Sequence, residues 1–417
     1  MRPISRKSLL RFFFYLAPAL VDMIVGAAFF MNPVRATILG SSYTIVGTLV
    51  MIQACAYMIV SFTIARFVSP RNASLFMIIS SISLLAATSY GLFINSLTEL
   101  FISAISIGLA SGFFFSPALV FMKTIDTAEK GRTLQRSGGL FVFSWSMGIA
   151  SGPLLCGFLM RMSTSEGTGG EKIINWLYPH LMEGGISILL IAITVWMHFS
   201  TKDLTSSLPV SVKAPETPKI SPVRQRPTVP DLAWLGWIMG FAGATSIGTF
   251  RNVFVSAATR LDMPENLVGL ISALLSFVQG ISALCLSLTG PWMYSGLAML
   301  GLGLTGTGGL LSFAIPGLME WHGSVIWFFI GAIAFGLYNG SVYLYASFHA
   351  LAHPQNAARN ASFNEGIVNA GNMTGPLIGG LLAENFGFGV PFAFVAALVL
   401  VLGIIQFFLH RAFPLRR

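Results

Sequence analysis

A ten-residue pattern occurs twice in the chain, each time inside an apolar stretch long enough to cross a bilayer. The first copy runs Gly148-Ile149-Ala150-Ser151-Gly152-Pro153-Leu154-Leu155-Cys156-Gly157, and the second runs Gly371-Asn372-Met373-Thr374-Gly375-Pro376-Leu377-Ile378-Gly379-Gly380. Each holds a Gly-x-x-x-Gly pair, which leaves two bare backbone patches one turn apart on one helix face. The proline that follows has no N–H to give to the helical ladder. A second anchor agrees. Gly26 to Gly47 frames an apolar end, a short polar link and a new apolar start, and Gly248 to Gly269 repeats it with equal spacing. The offset from Gly26 to Gly248 differs by a single position from the offset between Gly148 and Gly371. Two matches at nearly one offset make the chain two copies of one unit.

That unit is a membrane unit. Hydrophobic residues make up 54% of the chain and charged residues 9%, where a soluble domain carries roughly a quarter charged residues. The mean hydropathy is +0.77. The apolar stretches repeatedly exceed the ~20 residues that span hydrocarbon. They predict spans at 10–33, 42–65, 73–93, 98–121, 138–160 and 182–200, then at 232–256, 265–287, 293–317, 323–348, 361–383 and 390–411. Lipid offers no partner to exposed backbone groups, and short alternating barrel strands are missing, so the spans are helices. The expected fold is an all-α membrane protein, twelve transmembrane helices in two six-helix pseudo-symmetric halves. Residues 1–200 form the first half and 232–417 the second. The stretch 201–231, rich in Pro, Ser, Lys and Arg, reads as a flexible cytosolic linker. Residues 161–181 form an outer loop without a counterpart, whose run Ile173 to Tyr178 is expected on the membrane surface.

Basic residues set the orientation. With the N-terminus in the cytosol, nineteen of the twenty-four Lys and Arg residues fall on cytosolic segments. Arg35, Arg161, Lys172 and Arg260 fall outside, and Arg251 lies within a span. Both termini are therefore expected to be cytoplasmic, in a multi-pass protein of the plasma (inner) membrane. Arg2, Arg6, Lys7 and Arg11 precede a first helix that reads as retained rather than as a signal peptide. The net charge of +9 then reports topology, not affinity for nucleic acid. Cys55, Cys156 and Cys285 all fall within apolar spans and are expected as small core residues, with no disulfide framework and no metal site. No nucleophile elbow, phosphate-cradling loop or His-rich metal pattern occurs. The chain is therefore not expected to be an enzyme or to need a cofactor. Without an ATP motor, transport would run on an ion gradient or passively.

Twelve helices in two halves, with the termini and central loop inside, resembles the major facilitator superfamily. The most specific piece is the fifth-helix motif of its proton-driven exporters: Gly, eight residues, Gly, three residues, Gly-Pro, two residues, Gly-Gly. Here it reads Gly139, Gly148, Gly152, Pro153, Cys156, Gly157, with cysteine at the first glycine of the last pair. The eleventh helix carries the same ending as Gly371, Gly375, Pro376, Gly379 and Gly380, with Ser362 at the leading glycine. The resemblance implies export by antiport. The loop between the second and third helices departs from the superfamily's Gly-x-x-x-Asp-Arg-x-Gly-Arg-Arg. Arg66 stands at the arginine, but Ala65 replaces the aspartate and Val68 the second glycine.

An ionisable side chain at the bilayer centre costs at least ~2.5 kcal/mol on insertion scales, so each one inside a span is informative. Asp22 lies in the middle of the first helix. The resemblance implies that the first, fourth, seventh and tenth helices line a central cavity, which makes Asp22 the candidate proton carrier; the alternative is a structural hydrogen-bond acceptor. The repeat matches Arg251 to Phe29 and Asp22 to Ala244, seven residues deeper, or ~10 Å along a helix. Arg251 then either shares a water or an anionic substrate group with Asp22, or snorkels to the outer interface. Glu365, Asn369 and Asn372 are spaced i, i+4, i+7 on one face of the eleventh helix. Glu365 is a candidate inward gate, pairing with Arg66 or Arg71; the alternative is plain helix-to-helix hydrogen bonding. Asn339 and Tyr343, one turn apart on the tenth helix, are expected to face the cavity, with Gln53 and Gln279 as weaker candidates.

These residues predict a secondary active transporter of a small organic solute, working by alternating access as a proton-coupled exporter. Its partners would be a small-molecule substrate, a proton or other ion gradient and the bilayer, with the chain acting as a monomer. An uptake symporter or facilitator for a sugar-like or other small solute is the alternative within transport. A non-transporting sensor or scaffold, suggested by the degenerate loop around Arg66, is the alternative outside it.

Overall fold

A computed structural model describes residues 6–126, 134–166, 172–206, 233–289, 291–319, 325–352 and 357–412. The first half contains α1 (Arg6–Ile38), α2 (Tyr43–Ala65), α3 (Ala73–Tyr90), α4 (Leu97–Asp126), α5 (Leu134–Ser163) and α6 (Leu177–Ser206). In the second half, α7 is built in three consecutive pieces: Ala233–Thr249, a π-helical turn Phe250–Phe254, and Val255–Arg260. It is followed by α8 (Glu265–Leu288), α9 (Gly296–Leu318), α10 (Ile326–Ala352), α11 (Ala357–Phe386) and α12 (Gly389–Ala412). Ten of these helices are long and apolar enough to cross a membrane by length and composition. The other two are α7, interrupted by its π turn, and α11, which carries Arg359, Glu365 and Glu384.

Local chemistry explains where helices start and stop. The Ser42 and Ser295 hydroxyls accept from the backbone N–H of Ile45 and Ala298 at the starts of α2 and α9, satisfying donors that a helix start leaves free. At α4 the Glu99 carboxylate accepts from the N–H groups of Asn95 and Ser96 while Ser96 Oγ accepts from Glu99 N. This is a reciprocal capping box. α1 ends in a turn in which Ser41 N donates to Ala36 O with Gly40 at φ 78°. The seventh helix ends in the same turn at the equivalent place of the repeat: Met263 N donates to Ala258 O with Asp262 at φ 55°.

α1, α4, α5, α6 and α11 overrun the expected spans at both ends, because hydropathy marks only the part that meets lipid while backbone hydrogen bonding continues beyond it. α6 begins inside the expected outer loop and ends inside the expected linker. Before it, Thr164–Glu166 and Lys172–Ile174 pair as an antiparallel ribbon; residues 167–171 lie outside the described residues. In the run Ile173 to Tyr178, Ile173, Leu177 and Tyr178 are exposed, and the Arg35 guanidinium sits 4.8 Å over the half-buried Trp176 ring. The three cysteines are free thiols, but only Cys156 is a core residue; Cys285 is exposed.

The same helices touch in each half. α1 packs on α5 and α6, α2 on α4, and α3 on α4 and α6; α7 packs on α11 and α12, α8 on α10, and α9 on α10 and α12. The halves meet along two further seams, α5 with α8 and α2 with α11, which the repeat also relates. Outward faces carry exposed Ile59, Ile82, Leu297, Phe158 and Phe408, an apolar surface suited to lipid rather than water.

Candidate functional site

The site is framed by the repeated glycines. A Cβ on Gly148 would run into the Ala19 carbonyl of α1, and one on Gly152 into that of Met23. The opposite side of α5 meets α8: Gly139 backs onto Ser287, and a Cβ on Gly157 would lie 2.5 Å from the Glu265 carbonyl oxygen. α11 repeats the contacts of Gly148, Gly152 and Gly157. A Cβ on Gly371 would lie 2.8 Å from the Phe241 carbonyl oxygen, one on Gly379 3.0 Å from the Thr249 methyl and one on Gly380 2.5 Å from the Tyr43 carbonyl oxygen, while one on Gly375 would run into the Thr245 carbonyl. The two sequence anchors also touch each other. Gly269 lies against the Pro153 carbonyl and Gly47 against the Pro376 carbonyl. Asn252 Nδ2 donates to the Pro376 carbonyl at 2.8 Å, and Thr249 Oγ1 to that of Gly375 at 3.0 Å.

These contacts shut one end of the molecule, where α1 and α7 finish and α2 and α8 begin. A latch crosses the halves there. The Arg260 guanidinium stacks 4.4 Å over the Tyr43 ring and donates to the Ser41 carbonyl. The N–H of Tyr43 is held by Glu384 Oε2 at 2.8 Å.

Below the shut end lies a cavity of about 230 Å³ between the halves. It runs toward the other end, where Met122, Gly138, Ala350 and Asn364 line it. Asp22, Arg251, Tyr343, Glu365, Asn369 and Asn372 all line this one cavity. Asp22 is 6% exposed. Arg251 points inward rather than snorkelling, with its guanidinium carbon 4.5 Å from the centroid of Phe29, the residue the repeat sets opposite it. Asn369 Nδ2 donates to the Glu365 carbonyl at 2.8 Å. The Tyr343 ring meets Trp145 edge-on across the halves, at 5.2 Å and 90°. A second hollow, of about 20 Å³, adjoins Arg251 on the shut side among Phe29, Pro153 and Ser276. Arg251 thus stands between the cavity and the seam.

Two expected members are elsewhere. Asn339 is fully buried and donates to Gln279 Oε1 at 2.6 Å; Gln279 Nε2 in turn donates to Ser146 Oγ at 2.8 Å. α8 closes against α10 at this depth, with Gly340 backing onto the Gln279 carbonyl, so Asn339 bridges helices while Tyr343, one turn on, reaches the cavity. Arg66 is exposed just beyond the end of α2 and does not line the cavity. The Glu365 pairing expected with it is absent among the described residues, because Glu365 lies inside the cavity and Arg66 outside the bundle.

Sequence reasoning missed Asn364, Tyr57 and Trp145, all cavity-lining. For Trp145 a signal existed: Gly138, Phe141, Val142, Trp145 and Ile149 share one face of α5 at helical spacing. It also missed a buried His180–Glu183 hydrogen bond of 2.9 Å at the start of α6, which lies outside the cavity.

The description of the Major Facilitator Superfamily matches residues 13–360, most of the chain, and the chain belongs to that family of transporters. No curated protein matches the sequence. A solved structure titled as a bacterial homolog to the human lysosomal transporter Spinster, in an inward-facing and unoccupied conformation, is similar in fold. The TM-score is 0.66 at 15% identity, over 99% of this chain and 98% of that one.

Proposed function

We propose that this member of the Major Facilitator Superfamily is a secondary active transporter that exports a small organic solute in exchange for protons. The observation that carries the reading is the central cavity. It lies between two duplicated halves, is sealed at one end by backbone-to-backbone contacts, and has Asp22, Arg251 and Glu365 as its charged lining. Two bundles meeting on paired seams can exchange which end is sealed by rocking about the cavity. In this reading residues 1–200 and 232–417 move against each other, and 201–231 tethers them.

The Lys and Arg bias supports a topology with both termini in the cytosol of a cell whose plasma membrane holds the protein. The cavity then faces inward, placed to take solute from the cytosol. Asp22, buried at mid-helix beside this cavity, is the proton carrier. Arg251, between the cavity and the shut seam, senses what occupies the site, and Glu365, Asn369 and Asn372 form the pathway on α11.

Purified protein in proteoliposomes tests this. Counterflow of solute with no gradient reports transport, and acceleration by a proton gradient reports coupling. A chain that binds solute yet shows no counterflow would remove the transporter reading and leave a sensor.

A further inference from the structure

Charge is unevenly distributed in the cavity. Two carboxylates, Asp22 and Glu365, face one guanidinium, Arg251, and that guanidinium already has one face on Phe29. The buried His180–Glu183 pair lies away from the cavity, and among the described residues no contact of 4 Å or less joins Asp22, Glu365 and Arg251 to one another. The cavity charges do not neutralise each other in direct pairs.

Buried amide atoms add a second, independent observation. Gln53 Nε2 and Asn364 Oδ1 belong to side chains only 3% and 6% exposed, line the cavity, and have no hydrogen-bond partner; Asn372 Oδ1 is a third such atom. Leaving a buried polar atom unpaired costs ~1–3 kcal/mol, so the cavity is built to hold something polar. Its character follows from what is offered. The α11 wall presents acceptors in Asn364 Oδ1, the Glu365 carboxylate and Asn372 Oδ1, and the Asp22 carboxylate lines the same cavity from α1. The remaining wall is aromatic, with Tyr57, Phe115, Phe141, Trp145 and Tyr343, and aromatic faces attract cations.

The geometry points to a protonated amine with an aromatic or alkyl body as the substrate class, its ammonium held by Asp22, Glu365 and the Asn364 and Asn372 oxygens, and its body against the rings around Trp145. This rests on the transporter reading above and narrows it. An anion of the same shape meets two carboxylates for one guanidinium. A quaternary ammonium keeps the charge but has no N–H to give to the asparagine oxygens, so it binds less well than the amine.

The test uses one body with different heads on the full-length purified protein at pH 7: 1-naphthylmethylamine, its neutral N-acetyl amide, its N,N,N-trimethyl derivative, and 1-naphthylacetate. Equilibrium binding is expected to favour the amine over the amide and the anion by about tenfold or more, with the trimethyl compound in between. Glu365→Gln should weaken the amine by about tenfold, as loss of a charged hydrogen bond does, and leave the amide unchanged. Binding of the amide or the anion as tightly as the amine overturns the proposal, as does failure of the amine to bind. The wild-type head-group series stands even if Glu365→Gln fails to fold. Counterflow of 1-naphthylacetate in place of the amine would sink the substrate class and leave the transporter reading standing. Binding of the amine by a chain that moves no solute would do the reverse.

Discussion

The two halves are alike where they touch and unlike where they face the cavity. At the seam the backbone contacts of three glycines have their doubles: Gly148 on Ala19 and Gly371 on Phe241, Gly152 on Met23 and Gly375 on Thr245, Gly157 on Glu265 and Gly380 on Tyr43. In the cavity the doubles differ in kind. Asp22 corresponds to Ala244, Arg251 to Phe29, Glu365 to Val142, and Asn372 to Ile149. Close backbone approach tolerates one solution, a residue without a Cβ, so it reads the same in both copies. A cavity needs only to be lined, and its polar groups can sit on one side alone. The scaffold is thus symmetric while the chemistry is concentrated on α1 of one half and on α7 and α11 of the other.

The largest test of that comparison is to spoil the symmetric part twice. Gly152→Leu and Gly375→Leu each drive a side chain into a backbone carbonyl that cannot retreat, and overpacking costs ~1–3 kcal/mol and sometimes more. Both variants should lose folded protein, measured by expression and thermal unfolding in detergent, and by similar amounts. If one half tolerates leucine, the seams are not equivalent.

The asymmetric part breaks differently. Asp22→Asn keeps the shape and removes the charge, so the variant should still bind solute and run counterflow while losing proton-driven accumulation. Full gradient-driven transport by this variant would unseat Asp22 as the proton carrier. Loss of folding together with transport would mark it as a structural acceptor.

The symmetric part was legible in the sequence and the cavity only partly so, for a physical reason. Glycines that let helices touch must recur at fixed spacing, and a duplicated chain prints that spacing twice. Asp22, Arg251 and Glu365 were legible because a charge inside a span is costly wherever it points. Direction was the missing information. Asn339 and Tyr343 share one face of α10, yet α8 covers the first and leaves the second open. Arg66 lies in a recognisable loop, but its position beyond the α2 terminus takes it away from Glu365. Trp145 looked like one more aromatic in an apolar span until α10 placed Tyr343 against it.

A smaller effect is expected at the latch. Arg260→Gln removes the stacking on Tyr43 and the bond to Ser41, a loss of about 1 kcal/mol at a partly exposed site. Glu384→Gln weakens the hold on the Tyr43 N–H. Both should raise the rate at which a cysteine placed at Ser276, just behind the seam, is labelled from the shut side, by roughly fivefold for Arg260→Gln. An unchanged rate would show that the glycine seams alone keep this end closed.

The smallest effect tests whether the two copies share one backbone turn with different residues in it. Gly40 and Asp262 occupy the same left-handed position, at equivalent places of the repeat, after α1 and α7. A Cβ on Gly40 would meet nothing within 4 Å, so any cost of a side chain there comes from the backbone alone. Gly40→Ala should therefore destabilise by about 1 kcal/mol, the usual cost of a left-handed alanine. Gly40→Asp should cost less, because aspartate can hydrogen-bond locally and tolerates this conformation, as its use at 262 illustrates. Thermal unfolding of the two variants side by side decides it. If Gly40→Asp is as damaging as Gly40→Ala, aspartate at 262 is held by its own surroundings rather than by the turn, and the equivalence of the two turns is limited to their hydrogen bonds.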